Sequence, residues 1–260
     1  MFITKEKLDG LYNLYNHREF VHPDPLEFLY AYPDLREREL VGLIASSLAY
    51  GRVAQILKSV SSILERMNNS PRSFLLGSSR KQLFSSFSGF KHRFTTGEEM
   101  ASMLLGVKHV IEQYGSLYDC FLAGFNNDDT ILPALSAFVN KLLGAASETR
   151  NSLLPSPERG SACKRLNLFL RWMVRKDRVD PGGWDGVSPS GLIIPLDTHM
   201  HKICLDLKMT VRKQADMLTA IEITAAFGEI VPKDPVRYDF ALTRLGIRKD
   251  ADLESFLRDC

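Results

Sequence analysis

Two residues of opposite charge, Lys164 and Asp197, each stand at the start of a predicted helix, and together they offer an amine and a carboxylate. Residues 161–172 read Ser-Ala-Cys-Lys-Arg-Leu-Asn-Leu-Phe-Leu-Arg-Trp. Ser161 is a preferred N-cap type and Gly160 before it marks a turn. Leu166, Phe169, Leu170 and Met173 then recur at the spacing of one buried helix face. Lys164 therefore falls in the first turn, near the positive end of the helix dipole, where an ammonium is disfavoured and an amine nucleophile is favoured. Residues 196–203, Leu-Asp-Thr-His-Met-His-Lys-Ile, open a second helix with Asp197 as its capping carboxylate. Met200, Ile203, Cys204 and Leu207 form its core face.

Each residue also has a plain reading. Asp197 can be an N-cap and nothing more, and Lys164 a solvated helix residue. His199 and His201 invite a metal, and a metal-dependent hydrolase built on Asp197, His199 and His201 is one reading of the set. On a helix, however, side chains two positions apart point about 200° from each other and cannot share an ion. No metal site is expected.

These motifs carry a resemblance. Lys164-Arg-Leu-Asn167, with Leu170 behind it, resembles the helix of the endonuclease III superfamily that holds a lysine nucleophile. Leu196-Asp-Thr-His199 is similar to that superfamily's Val-Asp-Thr-His, whose aspartate is essential. Upstream, Leu43-Ile-Ala45, Leu48 and Ala49 resemble the early helix that ends at the DNA-intercalating loop. The chain as a whole is identified as a member of an uncharacterised bacterial family known only as a domain of unknown function, distantly similar to the helix-hairpin-helix glycosylases that include 8-oxoguanine glycosylase.

The resemblance implies a base-excision DNA glycosylase, with an abasic-site lyase step as its extension, acting through Lys164 and Asp197. It implies DNA as partner, with contacts at Tyr50, Arg52, Arg159, Ser161, Arg165 and His199. A non-catalytic nucleic-acid-binding protein on the same scaffold is the alternative. Base-excision enzymes extrude their target nucleotide and stack it. Trp184, in a Gly-Pro loop, is the candidate for that base pocket, whereas Phe169 and Trp172 read as core. Tyr50, before a glycine at a helix end, can equally be a packing residue. The superfamily's hairpin sits where this chain has Leu-Leu-Pro-Ser-Pro-Glu-Arg-Gly at 153–160, which keeps Leu154-Pro155 and Gly160 but departs in length and glycine count. Arg171, Arg175, Lys176 and Arg178 read as a solvated face, or as a phosphate-facing one on the cleft side.

The remaining elements must position these residues. The chain reads as helix after helix with no run of strand-like alternation, hence an all-α fold. Helices are expected over 5–15, from 25 through 29, from 34 through 48, through 56–64, as short pieces over 72–94, and over 100–114, 117–125, 129–143, 214–227, 236–245 and 248–260. Gly228 and Gly246 should close two of these. By the resemblance the fold is two-lobed, of the helix-hairpin-helix type with a non-standard hairpin. One lobe spans about 1–35 plus 196–260 and the other about 36–195.

Composition bounds the rest. With 45% hydrophobic and 25% charged residues in 260, the chain can bury a full core, and a net charge of +2 neither demands nor forbids a nucleic acid. Four scattered cysteines, Cys120, Cys163, Cys204 and Cys260, read as reduced thiols rather than a disulfide frame. They also lack the tight C-terminal set that holds an iron–sulfur cluster in many of the superfamily, so no cluster and no other cofactor is expected. No apolar run approaches the ~18 residues of a membrane span, and no signal sequence is expected. A cytoplasmic location is the expectation.

Overall fold

Short polar side chains precede most of the helices and accept their free amides. Asp34 accepts from Glu37 N, Ser116 from Asp119 N, Asp197 from Met200 N and Asp216 from Thr219 N. Ser79 and Thr96 form reciprocal capping boxes with Gln82 and Glu99. The structure, a computed structural model, describes residues 3–126, 130–144, 150–247 and 256. Its helices are α1 (Lys5–Tyr15), α2 (Leu35–Ser47), α3 (Val53–Arg66), α4 (Pro71–Gly77), α5 (Arg80–Ser86), α6 (Gly97–Tyr114), α7 (Leu117–Leu122), α8 (Leu132–Gly144), α9 (Lys164–Val174), α10 (Thr198–Asp206), α11 (Met217–Ile230) and α12 (Asp239–Ile247). The segment Pro25–Ala31 is a 3-10 helix. No described helix is long and apolar enough to cross a membrane.

The all-α expectation holds, with one addition. A minimal hairpin, β1 (Lys91–His92) and β2 (Thr95–Thr96), pairs Lys91 with Thr96 and His92 with Thr95. Two-residue strands leave no alternation for a sequence to display. Two glycines also differ from expectation. α11 runs through Gly228 to Ile230, and α12 runs through Gly246 to Ile247. The expected helix over 248–260 lies outside the described residues, Phe256 apart.

α2 is the axis of the molecule. Every residue from Glu39 to Ser47 is buried, and α9 packs along it. Gly42 permits this approach, because a Cβ there would already touch Phe169 and Met173 at 3.4 Å. α6 packs against α5, α7 and α8, while α1 and α10 both pack on α12. At the α6–α8 crossing Gly106 faces backbone, and an added Cβ would lie 2.1 Å from the Leu142 carbonyl oxygen. Gly106→Ala must push α8 away. We expect it to cost about 1–3 kcal/mol, seen in thermal unfolding as a Tm drop of about 2–4 °C for each kcal/mol.

Charges are buried where α9 ends. Arg171 donates to Asp180 and Asp239, and Arg175 to Asp180, Asp177 and Asp234. Arg171, Arg175, Asp180 and Asp239 are all at most 4% exposed. The reading of Arg171 and Arg175 as a solvated or phosphate-facing surface is therefore corrected. They close the core, and only Lys176 and Arg178 of that run are exposed.

Candidate active site

α9 opens differently from the cap expected at Ser161. Cys163 sits at the N-cap in a left-handed conformation, φ 46°, and Lys164 is the first helical residue. Ser161 is held back because it bridges to Asp216, and the neighbouring Gly160 carbonyl accepts from Met217 N at 3.1 Å. Asn167 steadies the turn from inside the helix by donating to Ala162 O at 3.0 Å. The preceding loop is a single 3-10 turn, Pro157–Arg159, ended by left-handed Gly160.

From this first position Lys164 reaches across two helix ends. Its Nζ donates to the Ala49 carbonyl, just past α2, at 3.4 Å and lies 3.2 Å from Asp197 Oδ2. Asp197 uses its two oxygens for two tasks. Oδ1 accepts from Met200 N at 2.9 Å and caps α10, while Oδ2 meets the lysine. Capping and ion pairing are thus both served by one side chain. The carboxylate is the counter-charge that an ammonium at a helix N-terminus otherwise lacks. Both side chains are close to one-third exposed, on the wall of an open pocket of about 490 Å³ shared with Tyr50, Gly51, Ser161 and Thr198.

Burial pushes the Asp197 carboxyl up, but Lys164, the Met200 amide and His199 together outweigh it and hold the group below the ordinary value of 3.8. A depressed carboxyl stabilises the fold above its unfolded pKa and loses that contribution as pH falls through the folded one. The Tm difference between wild type and Asp197→Asn should therefore stay constant from about pH 8 to about pH 5. It should shrink only below about pH 4, which a melting series across pH checks.

The other expected site residues divide. Tyr50 lines the pocket; its hydroxyl donates to His92 O at 2.9 Å and pairs with Thr95 Oγ1 at 2.6 Å. Arg165 lies 4.9 Å from the Tyr50 ring but gives its guanidinium to two carbonyls, Ser47 O and Ser152 O, at 2.8 and 2.5 Å. It braces the pocket wall through these two bonds. Ser161 borders this pocket and an adjoining one of about 400 Å³ that Arg159 also lines. Arg52, at the start of α3, and His199, in the first turn of α10, are exposed.

Trp184 is a correction. It is fully buried, packs against Phe121, Tyr118 and Phe169, and donates its indole N–H to Glu39 at 3.3 Å. Its role is in the core, where Glu39 also accepts the Leu117 amide at the start of α7. The histidines do not converge. His201 is buried with Nε2 2.8 Å from Arg212 O, while His199 faces solvent. Among the described residues no three His, Cys, Asp or Glu side chains group as metal ligands. Cys120, Cys163 and Cys204 are each buried and unbridged, and Cys260 lies outside the described residues.

Sequence reasoning missed Asp216 and His92. Asp216 lines the pocket and is joined to Ser161, in the loop before Lys164. Its Asp-x-x-Thr219 pattern is a cap signature that could have placed it. Buried His92 holds Ser59 Oγ at 2.9 Å and Tyr50 O at 3.1 Å, contacts that no local pattern announces.

Fold and pocket together define a mostly helical protein with an ion-paired lysine at the junction of three helix ends. The chain belongs to the family DUF2400, described as a protein of unknown function, whose sequence model matches residues 24–248 and so includes Lys164 and Asp197. Comparison with curated proteins and with solved structures gives no match.

Proposed function

We propose that the protein is a base-excision DNA glycosylase with an abasic-site lyase step, Lys164 acting as nucleophile and Asp197 as its electrostatic partner. The observation that carries this reading is the 3.2 Å approach of Lys164 to Asp197 in an open pocket, made by residues 33 positions apart in sequence. The likeness of Lys164-Arg-Leu-Asn167 and Leu196-Asp-Thr-His199 to the superfamily's paired motifs supports it. By the same likeness the pocket lies in a cleft between two helical lobes, with Arg52, Arg159, Ser161 and His199 placed to meet DNA.

In the reaction Lys164, once its proton has passed to solvent, adds through Nζ to C1′ of an extruded nucleotide. The C1′–base bond breaks, and the base leaves with the electron pair and takes up a proton. Asp197 carboxylate stabilises the positive charge that develops at C1′ and O4′. Opening of the C1′–O4′ bond gives a Schiff base between Lys164 and C1′. Loss of a C2′ proton then expels the 3′ phosphate, and water releases the lysine. This sequence calls on no metal and no diffusible cofactor.

The test is borohydride trapping on oligonucleotides carrying oxidised, deaminated and abasic sites. A covalent complex with one lesion, formed on Lys164, supports the proposal and names the substrate class. Absence of an adduct with every lesion removes the lysine mechanism.

A further inference from the structure

Of the large apolar side chains left in solvent, Phe94 is the only aromatic one among the described residues, at 63% exposure. It stands at the tip of the β1–β2 hairpin beside Arg93, whose φ is 53°. Its ring stacks on Tyr50 with centroids 4.9 Å apart and planes 28° from parallel, and Tyr50 also carries the Arg165 guanidinium at 4.9 Å. The hairpin is fastened on both strands. Tyr50 Oη bonds to His92 O and Thr95 Oγ1, the His92 ring bonds to Ser59 and to Tyr50 O, and Thr95 reaches Ser152 at 3.1 Å. Phe94 is therefore exposed on a rigid support, not on a loose loop.

The tip lies against two residues of the pocket wall, Tyr50 and Gly51. A Cβ placed on Gly51, a pocket-lining residue, would lie 2.7 Å from Arg93 Cδ, so the arginine stem crosses the pocket rim. Lys91 and Arg93 on the hairpin, and Arg52 two residues past Tyr50, are exposed. Of the nearby acids, Glu99 is committed to the Thr96 and Ser152 amides, and Glu98 is exposed in the first turn of α6. One flat ring in a field of cations is a poor dock for an apolar protein surface. It is the pairing that holds single-stranded nucleic acids, a stacking face for a base with cations for the flanking phosphates.

We infer that Phe94, supported on Tyr50, is a stacking platform for an unpaired base of a single-stranded nucleic acid entering the Lys164 pocket. In a duplex both faces of each base are covered by neighbours, and only an unpaired or end base can offer a face to Phe94. The inference rests on the nucleic-acid reading given above, and it adds the strand state of the substrate.

Fluorescence anisotropy with a short oligothymidine and the full chain tests it. Phe94→Ala and Phe94→Leu should each weaken binding by about fivefold to a hundredfold, the range for one lost base–aromatic stack. Phe94→Trp should retain binding. A 2-aminopurine in the strand should lose its quenching in Phe94→Ala, and the matching duplex should bind more weakly than the strand. Because the side chain is mostly in solvent, an unchanged melting curve should accompany each variant. Equal affinity of Phe94→Ala and wild type for the strand overturns the inference, and so does a duplex that binds as tightly as the strand. Since no covalent step is read, a failure of trapping on all lesions with Phe94-dependent binding intact removes the lysine mechanism and leaves the platform standing.

Discussion

Lys164→Gln is expected to abolish the borohydride-trapped adduct and to lower base release by on the order of a thousandfold or more, the usual outcome of removing a nucleophile. The change is nearly isosteric and leaves Asp197 about one-third exposed with its hydrogen bond to Met200 N, so the fold should persist. Asp197→Asn should lower the rate by about a hundredfold to a thousandfold, the range for loss of one electrostatic stabiliser. Asparagine caps helices about as well as aspartate, so α10 should remain formed. The two variants acting on one transition state should be strongly non-additive. Single-turnover base release by wild type, both single variants and the double variant reads this directly. If Lys164→Gln retains wild-type base release, the lysine has no covalent part.

The position of both residues was legible because helix starts are written locally. Asp197 announces its cap, and the apolar spacing from Leu166 to Met173 phases α9 so that Lys164 must lie in its first turn. The cap residue itself was misplaced. The left-handed turn at Cys163 follows from the bridge between Ser161 and Asp216, a contact across 55 positions that no local pattern encodes. Trp184 failed for the same reason. A tryptophan between Gly183 and Asp185 reads as a loop residue, yet its indole N–H finds the carboxylate of Glu39 across 145 positions and the ring is drawn under. Arg165 shows the limit for charges. Its neighbours in sequence say nothing of the Ser47 and Ser152 carbonyls that take up its donors. The pairing of the amine with the carboxylate came from resemblance alone, since spacing fixes each helix start but not how far apart two of them lie.

Arg171→Met is expected to cost about 3–5 kcal/mol, the penalty for orphaning a buried charge. For a chain of this size that is a Tm drop on the order of 10 °C. Arg171 stands seven residues, two helical turns, beyond Lys164 on the same face of α9. It pairs with Asp239 and shares Asp180 with Arg175, and both carboxylates are essentially out of water. Burial already pushes Asp180 up to about 6 in spite of Arg171 and Arg175, and it pushes Asp239 up in spite of Arg171. Without the arginine both should rise further. A carboxyl whose folded pKa lies above its unfolded value adds stability that is fully present below the unfolded value and is lost as pH rises through the folded one. The variant should thus recover stability on acidification from pH 8 towards pH 5, about the window that a value near 6 sets, by more than wild type does. Adding Asp239→Leu to Arg171→Met removes one orphan and should return part of the loss, the coupling that a double-mutant cycle measures. A variant whose deficit is independent of pH would mean that Arg171 acts by filling space rather than by charge. The same cycle bears on the site, because α12 carries Asp239 against both α9 and α10, the helices that bring Lys164 to Asp197. Loosening that charge cluster should therefore lengthen the Lys164–Asp197 approach and weaken trapping at temperatures where the variant is still folded.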